Sequence, residues 1–146
     1  YFTLYNHKNS PMNSLKQILV PIDFSEVSLN ALGVAEKISA LAGAEIHLIH
    51  VYHVPVVDPY IPAETIRLML EETEKASKEQ MDKLVLSRNG LNKARVACVQ
   101  GFPKDEILLY AKENQIDFII MGTTGASGLK EMIFGSNAAS IIEESE

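Results

Sequence analysis

Short, continuous apolar runs alternate along this chain with longer stretches in which apolar residues recur every three or four positions, a pattern that predicts strands alternating with amphipathic helices. The first run, Gln17-Ile18-Leu19-Val20-Pro21-Ile22, has the unbroken hydrophobicity of a strand covered on both faces, with its proline near the end where a lost N–H is tolerated. Ser25 then supplies an N-cap, with Ser28 as an alternative start. Val27, Ala31, Val34, Ala35, Ile38 and Leu41 form an inward stripe that Gly43 terminates. A second strand is expected over residues 46–51, and the proline-bearing residues 52–62 form a loop. Residues 63–86 predict a long helix whose charged outer face is solvated, with Asn89-Gly90 ending it. A third strand over 93–99, a helix from Pro103 to about Glu113, a fourth strand over 117–121 and a last helix over 136–144 complete the series.

Strand and helix in strict alternation imply parallel strands joined by crossovers, hence an α/β sandwich. At 146 residues there is room for one such domain, read here as residues 15–146 preceded by an extension or linker, 1–14. The polar and aromatic prefix before Met12 reads equally as a tag, a linker or a short extra strand.

Charge narrows the function. Nineteen acidic against thirteen basic residues give a net charge of -6, which disfavours a general grip on nucleic acid or on anionic lipid. No apolar run reaches the ~18 residues of a membrane helix, and the opening residues lack a secretory hydrophobic region. A single cysteine, Cys98, in an apolar-alternating run reads as a small buried hydrophobe and suits a reducing compartment, so a cytoplasmic location is expected.

Candidate chemistry concentrates after the fourth strand, in Met121-Gly122-Thr123-Thr124-Gly125-Ala126-Ser127-Gly128, with Gly135-Ser136-Asn137 opening the last helix. Glycines there let backbone approach a ligand, and a helix N-terminus offers free N–H groups to a phosphate. The same residues also serve as ordinary turn and capping chemistry, and both readings stand on the residues alone. Neither a Walker A loop nor a dinucleotide fingerprint is present: Gly128 is followed by Leu129-Lys130, and no Gly-x-Gly-x-x-Gly follows the first strand. Asp23 has only Glu26 as an acidic companion, too little for a metal-dependent phosphoryl acceptor, and doubles as a turn residue. His47 and His50 fall on opposite faces of a strand, so with His53 they make a poor metal site and read as packed or surface histidines. No catalytic triad is defensible, and no catalytic or metal-ligating residue is assigned.

The spacing Gly122-x2-Gly125-x9-Gly135-Ser136 resembles that of the ATP-binding universal stress proteins. Ile18-Leu19-Val20-Pro21-Ile22-Asp23-Phe24-Ser25-Glu26 is similar to that family's first strand and turn, and Ile46-His47-Leu48-Ile49-His50-Val51 to its second strand. The likeness runs from about Leu15 to the end. It implies a three-layer sandwich on an open parallel sheet, Rossmann-like and of the adenine nucleotide alpha hydrolase kind. It further implies ATP laid across the strand ends: Asp23 at the adenine or its neighbourhood, Pro21 and Ile22 shaping the wall, Val51 meeting the base through backbone and side chain. Met121 and Gly122 would approach the ribose and phosphates. Gly125, Gly135 and Ser136 would hold the phosphate chain, with Thr123 adding a donor and Asn137 standing where the family often has a small apolar residue. Magnesium or manganese would be carried by the phosphates and water, and turnover, if any, would be slow. The implied role is sensing or transducing a stress or energy signal; the alternative is a nucleotide-independent dimerisation or interaction domain of the same fold. The family's final strand, often central to dimer contacts, has no counterpart here. The expectation is therefore a homodimer, one half of a tandem protein or a truncated chain, with the open edge covered by residues 1–5 or by a partner chain.

Overall fold

The computed structural model describes residues 2–6, 15–53 and 59–122. Its elements in chain order are β1 (Phe2–Asn6), β2 (Gln17–Pro21), α1 (Glu26–Ala42), β3 (Glu45–Tyr52), α2 (Ala63–Leu86), a 3-10 turn (Asn89–Leu91), β4 (Arg95–Gln100), α3 (Pro103–Glu113) and β5 (Phe118–Gly122). They build one sheet in the order β1-β5-β2-β3-β4. β2 pairs in parallel with both β3 and β5, and β3 with β4. This is the expected open, parallel α/β sheet with flanking helices, a Rossmann-like three-layer sandwich. β1 is the exception: it pairs antiparallel with β5, from Phe2 opposite Gly122 to Asn6 opposite Phe118. Of the readings open for the prefix, residues 2–6 take that of a short edge strand.

Both faces of β2, β3 and β5 are buried, which is why their sequences carry no alternation. Ile18, Val20, Leu48 and Ile120 face Ala31, Leu32 and Ala35 of α1 and Met81 of α2. Leu19, Ile49 and Ile119 face the other way, onto Ile107 and Ala111 of α3 and Ile116. Each fully buried aliphatic side chain contributes about 1.5–3 kcal/mol of transfer free energy.

Helix α1 begins and ends where its caps dictate. The Ser25 hydroxyl accepts the Ser28 N–H at 3.2 Å. Gly43, in the left-handed region at φ 70°, returns its N–H to the Ser39 carbonyl. The buried face runs through Ser28, Ala31, Leu32 and Ala35, so Leu41, expected to point inward, is instead 90% exposed. Nine positions after Leu32, Leu41 falls about 180° round the helix from the buried face, and so points to solvent. On α2 only Ser77 and Met81 are buried. Its ion pairs are Arg67 with Glu64 and Glu71, and Lys78 with Glu74. No helix of the described residues is long and apolar enough to cross a membrane.

Candidate nucleotide cleft at the strand ends

The chain leaves β2 toward β3 and β4 on one side, while β5 returns to β2's other side. This reversal opens a crevice beyond the carboxyl ends of β2 and β5, the place where open α/β sheets generally bind ligands.

The loop leaving β2 is built to shape that crevice. Ile22 keeps the ladder for one residue more, its N–H donating to the Ile49 carbonyl at 2.8 Å. Phe24 then takes φ 65°, a left-handed conformation that costs a non-glycine residue ~1–2 kcal/mol. The turn this creates is closed by local hydrogen bonds. Asp23 Oδ1 accepts the Ser25 N–H at 3.0 Å and the Ser25 hydroxyl at 2.6 Å. Ser28 Oγ donates to the Ser25 carbonyl at 3.0 Å and accepts the Asp23 N–H at 3.4 Å. Asp23 thus fills the turn role that its residue type allowed. Among the described residues its Oδ2 has no hydrogen-bond partner, beside the positive end of α1.

A cleft of about 160 Å³ sits at this point, lined by Pro21, Ile22, Asp23, Val51, Met121 and Gly122. All six site residues expected within the described segments therefore come together. The remaining five, Thr123, Gly125, Gly135, Ser136 and Asn137, lie outside the described residues. Sequence reasoning missed Ser25, Val27, Ser28, Ile49, Pro103 and Ile107, which complete the lining. Ser25 and Ser28 had left a signal as the two candidate capping serines. Pro103 and Ile107 belong to α3 and reach the cleft only through packing on the sheet. The volume enclosed by these described residues is below the ~300 Å³ at which pockets for drug-sized ligands begin.

Its polar character comes from backbone. Ile49 turns its carbonyl toward β2, and residues two apart in a strand turn the same way, so the N–H and C=O of Val51 face the same side. The β2 ladder stops at the Pro21–Ile49 pair and the Ile22 N–H, leaving the Val51 donor and acceptor directed into the crevice. Gly122 forms the opposite wall. A Cβ there would stand 2.2 Å from Val27 Cγ1 and 2.6 Å from the Val27 carbonyl oxygen, so only glycine lets β5 end beneath the first turn of α1.

His47, 1% exposed, lies at the other end of the sheet, Nε2 within 2.6 Å of Gln17 Oε1 and Nδ1 within 3.0 Å of the Tyr110 hydroxyl. Burial holds its pKa below the ordinary histidine value, and burial raises that of Tyr110. Next in line, the Arg95 guanidinium, 2.8 Å from Glu45, holds the Glu45 carboxyl below its usual range. Cys98 is half-buried, and burial pushes its thiol up, as expected of a packing residue. Among the described residues no group of three or more His, Cys, Asp or Glu side chains is placed to hold a metal.

With the cleft placed at the strand ends, comparison with known proteins decides the lineage. The universal stress protein family matches residues 14–146. The chain belongs to that family. Universal stress protein MJ0531 of Methanocaldococcus jannaschii is 31% identical over 147 residues, covering 98% of this chain and 85% of that protein. The solved structure of MJ0577, from the same organism, is 29% identical with a TM-score of 0.68, covering 88% of this chain and 89% of that one. A universal stress protein solved in complex with cAMP shares the fold at 23% identity and a TM-score of 0.55, each chain covered to 88%. Strand β1 of this universal stress domain lies outside the family match.

Proposed function

We propose that this universal stress domain binds an adenine nucleotide, ATP foremost, and uses the bound state to sense or transmit a stress or energy signal. The observation that carries the reading is the pairing of the cleft with the outward N–H and C=O of Val51. That donor and acceptor complement an edge that presents an amino group beside a ring nitrogen, as adenine's does. Ile22, Ile49 and Met121 supply apolar wall, and Asp23 Oδ2 is placed to accept from a ribose hydroxyl. The ribose and phosphates would then run outward past Gly122 to Thr123, Gly125, Gly135, Ser136 and the Asn137 amide, with magnesium or manganese held by phosphate oxygens and water. That a relative of the same fold holds cAMP supports the nucleotide class. A homodimer or a tandem parent protein and a cytoplasmic setting complete the proposal, with hydrolysis slow at most.

Isothermal titration tests it. ATP should bind saturably, and Gly135→Arg and Ser136→Ala should weaken it. Asp23→Asn, which keeps the oxygen that closes the turn while removing the charge, should lower affinity and leave the fold intact. An absence of heat and of any thermal shift at millimolar ATP would refute the proposal.

A further inference from the structure

We propose that His50 is a positioning residue for the cleft, holding the strained Ile22–Ser25 turn in place from the opposite face of the sheet. The inference rests on the nucleotide reading for its consequence, and on geometry alone for its mechanism. Along β3, Ile49 and Val51 point to the cleft and the α3 side, so His50 between them points to the α1 side. There its Nδ1 lies 2.7 Å from the Ile22 carbonyl oxygen. A carbonyl only accepts, so Nδ1 carries the proton and His50 donates; this fixes the tautomer. The ring also meets the Phe24 ring, centroids 4.8 Å apart and planes at 51°.

Three successive residues are thereby divided. Phe24 is anchored on the α1 side against His50, Ile22 is buried in the core on that side while also giving the cleft apolar wall, and Asp23 between them lines the cleft. Phe24 is one of two non-glycine residues with positive φ among those described, and the conformation persists only if its surroundings enforce it. The local Asp23, Ser25 and Ser28 hydrogen bonds close the turn on itself, but they do not fix it relative to β3. The Ile22 N–H ties the first residue of the turn to β3 through the Ile49 carbonyl, and His50 adds the tie at the Ile22 carbonyl and the Phe24 ring; together they set the distance between the two groups proposed to read the nucleotide, the Asp23 carboxylate and the Val51 backbone.

Two substitutions separate the parts of this contact. His50→Asn keeps a donor at the position of Nδ1 and loses the ring; His50→Phe keeps a ring and loses the donor. Imidazole ¹H–¹⁵N correlation spectra of the intact wild-type chain should show His50 as the Nδ1–H tautomer. The backbone amides of Asp23 and Ser25 should shift markedly in His50→Phe and little in His50→Asn. ATP affinity should fall about tenfold in His50→Phe, equivalent to about 1.4 kcal/mol, and recover to within about threefold of wild type in His50→Asn. A residue that only filled space would show the reverse order, the phenylalanine being better tolerated. An Nε2–H tautomer, unmoved Asp23 and Ser25 amides in His50→Phe, or equal ATP affinity in all three proteins would overturn the proposal. Should wild type bind no ATP, the nucleotide reading fails by itself, and the tautomer and amide shifts still decide whether His50 holds the turn.

Discussion

Replacing Gly122 by alanine places one methyl group where β5 passes beneath the start of α1. The added carbon would lie 2.2 Å from Val27 Cγ1, 2.6 Å from the Val27 carbonyl oxygen and 2.8 Å from its carbonyl carbon. A side-chain methyl can rotate away, but the Val27 backbone belongs to the first turn of α1, which is fixed by the Ser25 cap and packed against β5 and β2. Relief therefore requires lifting the helix or bending the end of the strand. Overpacking of this kind costs ~1–3 kcal/mol when side chains can adjust, and the upper end applies where backbone must move. At ~2–4 °C per kcal/mol for a chain of this size, Gly122→Ala should lower Tm by about 6–12 °C by differential scanning calorimetry. Adding Val27→Ala removes Cγ1 but not the carbonyl, so the double variant should recover only part of the loss. A Tm for Gly122→Ala within about 2 °C of wild type, or full recovery in the double variant, would show that β5 and α1 are not in the contact described.

Further predictions concern the buried polar groups at the opposite end of the sheet. Because burial lowers the folded-state pKa of His47 below its unfolded value near 6.5, its contribution to stability is complete above pH 6.5 and is lost as pH falls toward the folded value. Urea unfolding at pH 7.5, 6.5 and 5.5 should show wild type losing more stability on acidification than His47→Gln, by at most ~1.4 kcal/mol per pH unit; equal slopes would remove His47 from the account. Asp117 Oδ2 accepts the Lys16 and Gln17 N–H groups at 2.9 and 3.0 Å. Asp117→Ala, leaving two donors short of an acceptor, should cost ~2–5 kcal/mol in urea unfolding, and Asp117→Asn, whose one oxygen can take both bonds, clearly less. Equal losses in the two Asp117 variants would contradict that arrangement.

The alternation of runs was legible because parallel strands buried on both faces need unbroken hydrophobicity, and helices on a sheet need a stripe. The bounds of α2 and α3 coincide with those read from the sequence. The edge strand β1 was legible only as one option, since a five-residue segment beside a polar stretch carries no pattern that distinguishes a strand from a linker. At the site, Met121 and Gly122 were legible because a glycine-rich stretch directly after a strand is a property of sequence order, whereas Pro21 to Asp23 and Val51 were suggested by the family resemblance. The contributions of Val27, Pro103 and Ile107 were not, because they depend on where two helices land on the sheet. Least legible was Phe24: phenylalanine disfavours the left-handed region, and nothing local marks it. Its conformation follows from His50, 26 positions later, whose residue type gave no sign of which strand face or which carbonyl it would meet.

The two ends of the sheet divide their work for a topological reason. Crossover connections keep β2, β3, β4 and β5 parallel, so their carboxyl ends emerge on the same side, and the change of direction between β2 and β5 leaves a gap there. At the amino ends the incoming segments lie close enough to be tied together. Asp117 binds the start of β2 to β5, and Tyr110, His47, Gln17, Glu45 and Arg95 link α3 to β2, β3 and β4. Buried polar groups at that end satisfy one another, whereas at the carboxyl end the Val51 backbone and Asp23 Oδ2 are left facing the cleft. Among the described residues these groups have no hydrogen-bond partner, a state tolerated only where solvent or a ligand can reach them. At that carboxyl end the left-handed Phe24 is held by the His50 ring and by the cap that starts α1.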